Sequence, residues 1–246
     1  MILSKKNIHF KKLKKLVKFA KYRLFYKEFV VFGKHSIEEA WKKKIVKQIY
    51  SLYNEKKNKK NVITITKELL KEIHPQKILF PEIALCKINN EKPKINQKIL
   101  VLDNIQDPGN IGNLLRSACA FGFQHVFFSH DSVDLYHEKI IRTSQGAFFN
   151  LSLEKGNIYN FLNNMIKQKY TIFSACVHEK NINIKKIDNI FLNQHKKRIL
   201  ILGNEGLGIS NEIKKISNFL LNIETSIQTE SLNVSSAGSI LMYILK

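Results

Sequence analysis

The chain has 246 residues, of which 44% are hydrophobic, and a formal net charge of +21 at pH 7. This hydrophobic content is enough for a folded core and argues against a disordered chain. No apolar run reaches the roughly 20 residues that a membrane-spanning helix needs. Lysine supplies nearly all of the charge, because four of the 41 basic residues are arginine. Two interpretations stay open: a polyanionic partner, RNA or DNA, and a compositional drift towards lysine.

Residues 1–27 contain ten basic residues and no acidic one. Apolar residues recur there at helical spacing, which predicts one basic amphipathic helix. These residues are Ile8, Leu13, Leu16, Val17, Ala20 and Leu24. RNA contact and a solvated surface are equal alternatives for this helix. The segment lacks the apolar core of a secretory signal, so we expect a cytoplasmic location, with organelle targeting left open.

The three cysteines, Cys86, Cys119 and Cys176, are odd in number and widely spaced. Neither they nor the histidines show the spacing of a zinc site, so we expect no metal. The pattern predicts three buried, reduced thiols in a reducing compartment.

Residues 28–90 alternate strand and helix patterns and predict a small α/β unit. FVVF is a strand, and Ser36 with Glu39 in SIEEAW predicts a capping box at the next helix start. IVKQIYSLY, NVITIT and ALCKI are further strands, KELLKEI is a helix ending near His74-Pro75, and 54–60 is a lysine-rich loop. The polar stretch 89–98 contains a proline and predicts a domain boundary, with residues 91–97 as linker.

Residues 98–246 begin with KILVLDNI, an apolar run of the type buried on both faces of a parallel sheet. Strand and helix patterns alternate from there to the last residue, which predicts an α/β domain with a doubly wound parallel sheet. Ligands bind such sheets at the carboxyl ends of the strands. Three loops are expected at that edge: 103–113, 203–210 and 223–233. In the first, we expect a bend at Gly109–Gly112 and a helix after Gly112.

Phosphate-binding and nucleophile motifs are not found in these loops. Gly109 and Gly112 form GxxG, which is neither a dinucleotide-binding nor a Walker fingerprint. The second loop, GNEGLG, carries Glu205, whose carboxylate would repel a phosphate. The serines of the third loop do not form GxSxG.

Another set of polar residues is distributed over the three motifs. It consists of Asn110, Arg116, Glu205, Ser231 and Asn233. In their order, DPGNIGNLLRSACAFGF, ILILGNEGLGIS and ESLNVSSAG resemble the three motifs of the SpoU/TrmH branch of the SPOUT methyltransferases. FVVFGKHSIEEAW, TKELLKEI and ALCKI are similar to the L30e-like substrate-binding domain of that family. Three motifs in order make the resemblance much more specific than one glycine turn would.

The resemblance implies a fold, a cofactor and partners. The fold would be a SPOUT α/β domain over 98–246 with a deep trefoil knot, preceded by an L30e-like domain over 28–90. S-adenosylmethionine would be held chiefly by backbone groups at Leu202, Gly203, Ile223, Thr225 and Leu232. The acceptor would be a ribose 2'-hydroxyl of RNA, with ribosomal RNA favoured over transfer RNA. A homodimer, with both protomers contributing to each active site, is also implied.

The resemblance also implies roles for the polar set. Arg116 matches the residue proposed as general base in relatives, but a guanidinium stays protonated in proteins, which favours a clamp on phosphate and alkoxide. Asn110, Ser231 and Asn233 would orient the hydroxyl and the loops. Glu205 would hold either Arg116 or a neighbouring loop.

One motif departs from the family pattern. Residues 223–227 read IETSI where relatives usually have I-P-M-x-G. Isoleucine at 227 loses the access to positive φ that glycine has, so this loop should follow another path. A non-catalytic RNA-binding or ribosome-assembly factor and a tRNA 2'-O-methyltransferase are the alternative functions. A DNA-binding module would rest on charge alone.

Overall fold

A computed structural model describes residues 2, 4–52, 61–74, 80–89, 93–177, 182, 184–226, 228 and 231–246. The α-helices in these residues are α1 Ile8–Lys18, α2 Ala20–Tyr26, α3 Lys34–Lys42, α4 Lys67–Ile73, α5 Pro108–Phe121, α6 Glu138–Thr143, α7 Ile158–Lys167, α8 Asn189–Gln194, α9 Asn211–Ile216 and α10 Val234–Ile244. The strands are β1 Glu28–Phe32, β2 Val46–Ser51, β3 Val62–Thr64, β4 Glu82–Lys87, β5 Lys98–Leu102, β6 His125–Ser129, β7 Ser152–Gly156, β8 Thr171–Ala175, β9 Arg198–Leu202 and β10 Phe219–Leu221. Among the helices described, none is long and apolar enough to cross a lipid bilayer.

The chain forms two compact units. The first contains Met1–Glu91 and Asp134–Phe149, and the second contains Lys92–Val133 and Asn150–Lys246. The first unit has a four-stranded sheet in the order β1-β4-β2-β3, antiparallel except for the β2–β3 pair. Its core joins the apolar faces of α1 and α4 to this sheet.

The N-terminal segment differs from the single helix that its periodicity predicts. Phe19 has an extended backbone and separates α1 from α2. The residues of α1 that enter the core are Phe10, Leu13 and Leu16, whereas Ile8 and Leu24 are exposed. The prediction of one continuous amphipathic helix was therefore wrong, because the chain changes direction between α1 and α2.

A buried arginine connects α2 to the inserted segment of the first unit. Arg23 is 3% exposed and donates to Asp134 Oδ2 at 2.6 Å. Its Nη1 donates to the carbonyl oxygens of Leu16 at 2.5 Å and Val17 at 3.0 Å. These acceptors offset the cost of burying the charge, and they hold α1, α2 and the loop before α6 together.

The capping box predicted at Ser36 and Glu39 was wrong. Helix α3 begins at Lys34 with Gly33 as its N-cap, and Ser36 is buried inside the helix. Gly33 has a φ of 88°, which allows β1 to turn directly into the helix without an extended capping side chain. Helix α4 is capped by Thr66 and ends at His74, while Pro75 and the lysine-rich loop at 54–60 lie outside the described residues.

The second unit confirms the predicted α/β architecture with a parallel sheet. Its six strands follow the order β10-β8-β9-β5-β6-β7, and every pair is parallel. The central strand β9 is buried along its whole length, as its apolar run predicts. Helices α5 and α10 pack against each other, with Ser117 and Ser239 hydroxyls 2.7 Å apart.

The first loop does not contain the predicted bend. Helix α5 begins at Pro108, so Gly109 and Gly112 are helical residues and Asn110 lies in the first turn. Asp107 caps the helix by accepting hydrogen bonds from the amides of Gly109 and Asn110. Proline at the first helical position after an aspartate is a strong start signal, and it outweighs the two glycines.

The cysteine prediction was correct for one residue of three. Cys86 is buried, Cys119 is exposed and Cys176 is partly exposed. None of the three forms a disulfide bond. Burial raises the pKa of the Cys86 thiol far above its usual value, so this thiol is unreactive.

His125 is a buried group whose charge state should affect stability. Its side chain is fully buried in β6, with Nε2 3.1 Å from Glu154 Oε2 and Nδ1 unpartnered among the described residues. Burial lowers the pKa of His125 to about 4, so the contact with Glu154 is a hydrogen bond between a neutral ring and a carboxylate at neutral pH. Burial also raises the pKa of Glu154.

We predict that the free energy of unfolding decreases as the pH falls from about 6.5 towards 4. In this window the unfolded chain binds a proton at His125 while the folded chain does not, which costs about 2 kcal/mol by pH 4.5. The raised pKa of Glu154 has the opposite sign and offsets part of this loss. Urea unfolding at several pH values should show a flatter profile for His125→Gln than for the wild type. Parallel profiles would contradict the assignment.

Candidate active site

A cavity of about 580 Å³ lies at the carboxyl ends of β8, β9 and β10 in the second unit. Its walls are formed by the ends of these strands, the loop at 203–209, the segment at 222–225 and the start of α10. A volume between roughly 300 and 1,000 Å³ is typical of sites for small molecules and cofactors. The predicted edge of the sheet therefore does carry a pocket.

All five residues predicted to bind the cofactor line this cavity. They are Leu202, Gly203, Ile223, Thr225 and Leu232. Leu202 and Gly203 are buried, and Ile223 is partly exposed. Ile227, at the altered end of the third motif, lies outside the described residues. Through 223–225 the segment forms a wall of the cavity, so the altered sequence leaves the pocket open there.

The loop after β9 folds back tightly on itself. The amide of Gly208 donates to the carbonyl of Asn204 at 2.9 Å, and a Cβ atom at position 203 would overlap the carbonyl group of Gly208. Gly208 has a φ of 67°, in the left-handed region that favours glycine. Glycine at 203 is thus required by the close approach of two backbone segments.

Asn204, which was not predicted as a site residue, organises the same loop. Its Oδ1 accepts from the amides of Gly206 and Leu207 at 2.9 and 3.0 Å. Its Nδ2 donates to the carbonyl of Asn104, in the loop after β5, at 2.9 Å. An asparagine two residues before a glycine is a known signal for such a side-chain turn and could have identified it.

Three predicted site residues form one hydrogen-bonded chain. Asn233 Nδ2 donates to Asn110 Oδ1 at 3.0 Å, and Asn110 Nδ2 donates to Glu205 Oε1 at 3.1 Å. Asn233 is also the N-cap of α10, where its Oδ1 accepts from the amide of Ser235 at 2.8 Å. These contacts bring the three loops together, as predicted from their position at the sheet edge.

Glu205 contacts the first loop and not the arginine. Its carboxylate accepts from the amides of Gln106 and Asp107, each at 3.4 Å, in addition to Asn110. Of the two partners expected for Glu205, the geometry supports the neighbouring loop. Because these amides directly precede α5, the carboxylate stabilises the backbone that leads into this helix.

Arg116 lies apart from this group. It is exposed on α5 and makes no hydrogen bond or ion pair with any residue that the structure describes. It follows Asn110 by six helical positions, which places it about 240° around the helix axis. Asn110 and Arg116 therefore point in different directions from α5. Ser231, by contrast, is an exposed residue on the wall of the cavity.

A second cavity of about 370 Å³ lies beside the first, at the ends of β5, β6 and β7. The two cavities share Asn204, Leu207 and Gly208 as walls. Asp103, which follows β5, faces the second cavity, and burial together with the nearby Asp131 raises the pKa of its carboxyl. This aspartate was not predicted as a site residue, because in the sequence it directly follows an apolar strand.

Comparison with known proteins identifies the class. Residues 97–243 match the sequence model of the SpoU rRNA Methylase family, so the chain belongs to this family. The 23S rRNA (guanosine(2553)-2'-O)-methyltransferase RlmP of Bacillus subtilis is 27% identical over 225 residues, 89% of this chain and 88% of that protein. An uncharacterised tRNA/rRNA methyltransferase of Borreliella burgdorferi is 36% identical over 156 residues, 63% of this chain and 66% of that protein.

Solved structures agree in fold. A TrmH-family protein from Porphyromonas gingivalis is 27% identical with a TM-score of 0.85, and the match covers 100% of this chain and 99% of that one. The SpoU methyltransferase AviRb from Streptomyces viridochromogenes, in complex with AdoMet, has a TM-score of 0.83 at 20% identity, with 98% and 97% covered. The family predicted from the three motifs is confirmed, and the protein is an RNA methyltransferase that uses S-adenosylmethionine.

We predict that Gly203→Ala weakens S-adenosylmethionine binding by at least about tenfold, since the new methyl group must displace backbone at the cavity wall. Gly206→Ala is the matched control in the same loop. Its Cβ would meet Asn204 Oδ1 at an ordinary 3.6 Å. Calorimetric titration of both variants and the wild type checks this. Equal affinities for Gly203→Ala and the wild type would rule out this part of the wall as the binding surface.

Proposed function

We propose that this protein transfers a methyl group from S-adenosylmethionine to a ribose 2'-hydroxyl of ribosomal RNA. The observation that carries the proposal is the position of the Asn233–Asn110–Glu205 chain beside a cavity lined by all five predicted cofactor-binding residues. The 2'-O-methyltransferase of Bacillus subtilis, which matches along most of its length, supports the choice of acceptor.

The cavity suits the cofactor by its size and by its walls. Backbone amides and carbonyls at Gly203, Ile223 and Leu232 can recognise the edge of an adenine without side chains in the way. When bound, S-adenosylmethionine supplies an electrophilic methyl group on a sulfonium. Holding the acceptor oxygen in line with that group provides much of the rate of such a displacement.

The polar residues then orient the acceptor. The chain from Asn233 through Asn110 to Glu205 fixes which amide atoms are donors, so Asn110 and Asn233 keep defined orientations. Ser231, at the mouth of the cavity, presents a hydroxyl that can hydrogen-bond to the ribose. Arg116 would clamp the adjacent phosphate and stabilise the negative charge that develops on the 2'-oxygen.

We further propose that the protein is a homodimer and that Arg116 serves the cavity of the partner subunit. On its own chain Arg116 is not among the described residues that line the cavity. The α5–α10 pair also leaves the apolar side chains of Ile240 and Tyr243 exposed, and such a face suits an interface between two copies.

The finer features of the fold are part of the same proposal. The resemblance supports a trefoil knot in the C-terminal part and an L30e-like substrate-binding domain over 28–90. Packing of α10 against both α5 and β9, beside the loops around the cavity, suits such a knot. Residues 1–27 as a basic segment, 91–97 as linker and 98–246 as the methyltransferase domain stay predictions, as does the cytoplasmic location.

We predict that Arg116→Ala lowers methyl transfer to ribosomal RNA by at least about 100-fold, because the charge that stabilises the developing alkoxide is removed. Arg116 is exposed, so the fold and the calorimetric affinity for S-adenosylmethionine should stay as in the wild type. Incorporation of labelled methyl groups, followed by mapping of 2'-O-methyl sites, measures the reaction. Unchanged incorporation in Arg116→Ala would remove this residue from the mechanism.

Mixed dimers test whether the active site is shared. At a cofactor concentration well below the dissociation constant of Gly203→Ala, Arg116→Ala and Gly203→Ala should each have little activity alone. If each site combines one cavity with the arginine of the partner, a hybrid dimer holds one intact site, so mixing the two variants should restore roughly a quarter of wild-type activity at random assembly. Sedimentation measures the oligomeric state. A monomer, or a mixture without activity, would contradict the shared site.

A further inference from the structure

The N-terminal helices carry four aromatic rings, three exposed and one partly buried, with lysines beside them. We name this group the lysine–aromatic surface. It consists of Lys12, Lys15, Lys18, Phe19, Lys21, Tyr22, Phe25 and Tyr26. All of these residues belong to α1, α2 and the residue between them, and therefore to the first unit.

The rings of this surface are in contact from one end to the other. Phe19 and Tyr22 have centroids 6.0 Å apart, and Tyr22 and Tyr26 are stacked at 6.3 Å with 21° between their planes. Phe25 meets the edge of Tyr26 at 4.9 Å. The row ends in Phe25, which is 76% exposed, so a ring face is open for a further stacking partner.

Lysine ammonium groups lie over these rings. Lys12 Nζ is 4.7 Å from the centroid of Tyr26, and Lys15 and Lys21 Nζ lie 4.9 and 5.4 Å from that of Tyr22. Lys18 Nζ lies 5.3 Å from the centroid of Phe19. Such contacts hold the charges beside the rings, which combines positive potential and stacking area on one surface.

The core of the unit accounts for Tyr22, which packs against it, but not for Phe25. The side of α1 that packs inwards uses Phe10, Leu13 and Leu16. Phe25 and Leu24 point to solvent, with 76% and 57% of their surface exposed. Apolar side chains such as these are usually buried. Exposure of two neighbouring ones leaves apolar area in contact with water, which is typical of a binding surface.

Charge indicates the kind of partner. Residues 1–27 contain no acidic side chain. Lys15, Lys18 and Lys21 form no ion pair with any acidic residue in the described part of the chain. Lys12 does pair with Glu28, so it contributes less to the potential. The surface therefore attracts a polyanion that also carries flat rings.

We propose that the lysine–aromatic surface binds unpaired nucleotides of the RNA substrate by stacking a base on Phe25, at the open end of the row of rings, while the lysines contact the phosphates. The proposal rests on the RNA methyltransferase function proposed above. Proteins that bind single strands combine these two features, because every base has a face that can stack on an aromatic ring. A paired helix hides its base faces and offers phosphates alone.

A lipid surface is a weaker match. Amphipathic helices that lie on membranes separate an apolar face from a charged one. Here the ammonium groups lie directly over the exposed rings, and the apolar face of α1 is already buried in the unit. Anionic vesicles are therefore included in the test as a competing partner.

The test compares variants that keep the charge with variants that keep the rings. The double variant Phe25→Leu/Tyr26→Leu removes two rings and preserves apolar area. The double variant Lys15→Gln/Lys21→Gln removes two charges. Leu24→Ala is the control on the same exposed helix. Anisotropy titrations of the full-length protein use a fluorescent single-stranded RNA of about 12 nucleotides, the same RNA annealed to its complement, and phosphatidylglycerol vesicles. Each RNA titration is repeated over a range of salt concentrations.

We expect the double leucine variant to bind the single strand at least about tenfold more weakly, with its duplex affinity and salt slope unchanged. The lysine variant should reduce the salt slope on the single strand by about 1.4. Leu24→Ala should match the wild type. If the double leucine variant folds poorly, Phe25→Leu alone gives the same comparison, because this side chain is largely exposed.

Several outcomes would overturn the proposal. These are wild-type affinity of the ring variants for the single strand, an equal loss on the duplex, or tighter binding to vesicles than to RNA. Calorimetry with S-adenosylmethionine on the same samples separates this inference from the proposed function. If the wild type does not bind the cofactor, the proposed enzyme function is refuted. If the ring variants bind both the cofactor and the RNA as the wild type does, only the stacking surface is refuted.

Discussion

The hydrogen-bonded chain from Asn233 through Asn110 to Glu205 is the constraint on which the candidate active site depends. Its members come from three segments that are distant in sequence and meet at the carboxyl edge of the sheet. Each member also completes a local structure, since Asn233 caps α10 and Glu205 accepts from two amides before α5. Loss of one contact therefore affects both the positions of the loops and the helices that follow them. Side-chain networks of this kind act as units, and their members cannot be assigned separate energies without mutant cycles.

Backbone packing supplies the other half of the site. The loop after β9 reverses within a few residues, and Gly203 lets its two limbs approach closely enough for Asn204 and Gly208 to pair. Asn204 then links this loop to the loop after β5. The wall of the main cavity is consequently made from a segment that is fixed at both ends before any ligand enters. A wall fixed in advance reduces the ordering cost of binding.

The parts of this structure that were predictable are those where local sequence and global fold agree. The buried run in β9 and the continuous apolar start of β5 predict a parallel sheet because strands covered on both faces lack alternation. The start of α5 was missed because glycines were weighted above the Asp107-Pro108 signal. The relative direction of Asn110 and Arg116 was missed because the helix was expected to begin after Gly112, whereas it begins at Pro108 and contains both residues. The contact of Asn204 with the loop after β5 and the surroundings of Asp103 required coordinates, since the partners lie in other loops.

The distribution of lysine also bears on whether the net charge reflects composition or a partner. Part of the N-terminal charge is used inside the first unit, where Lys5 and Lys14 contact Glu72 and Lys12 contacts the buried Glu28. Another part lies over the exposed rings of Tyr26 and Phe19. Drift towards lysine alone would explain neither the absence of acids from residues 1–27 nor the exposure of Phe25. The balance of these observations favours a polyanion, because an unpaired nucleic acid strand can cover an exposed ring with a base and releases counterions when its phosphates meet the ammonium groups.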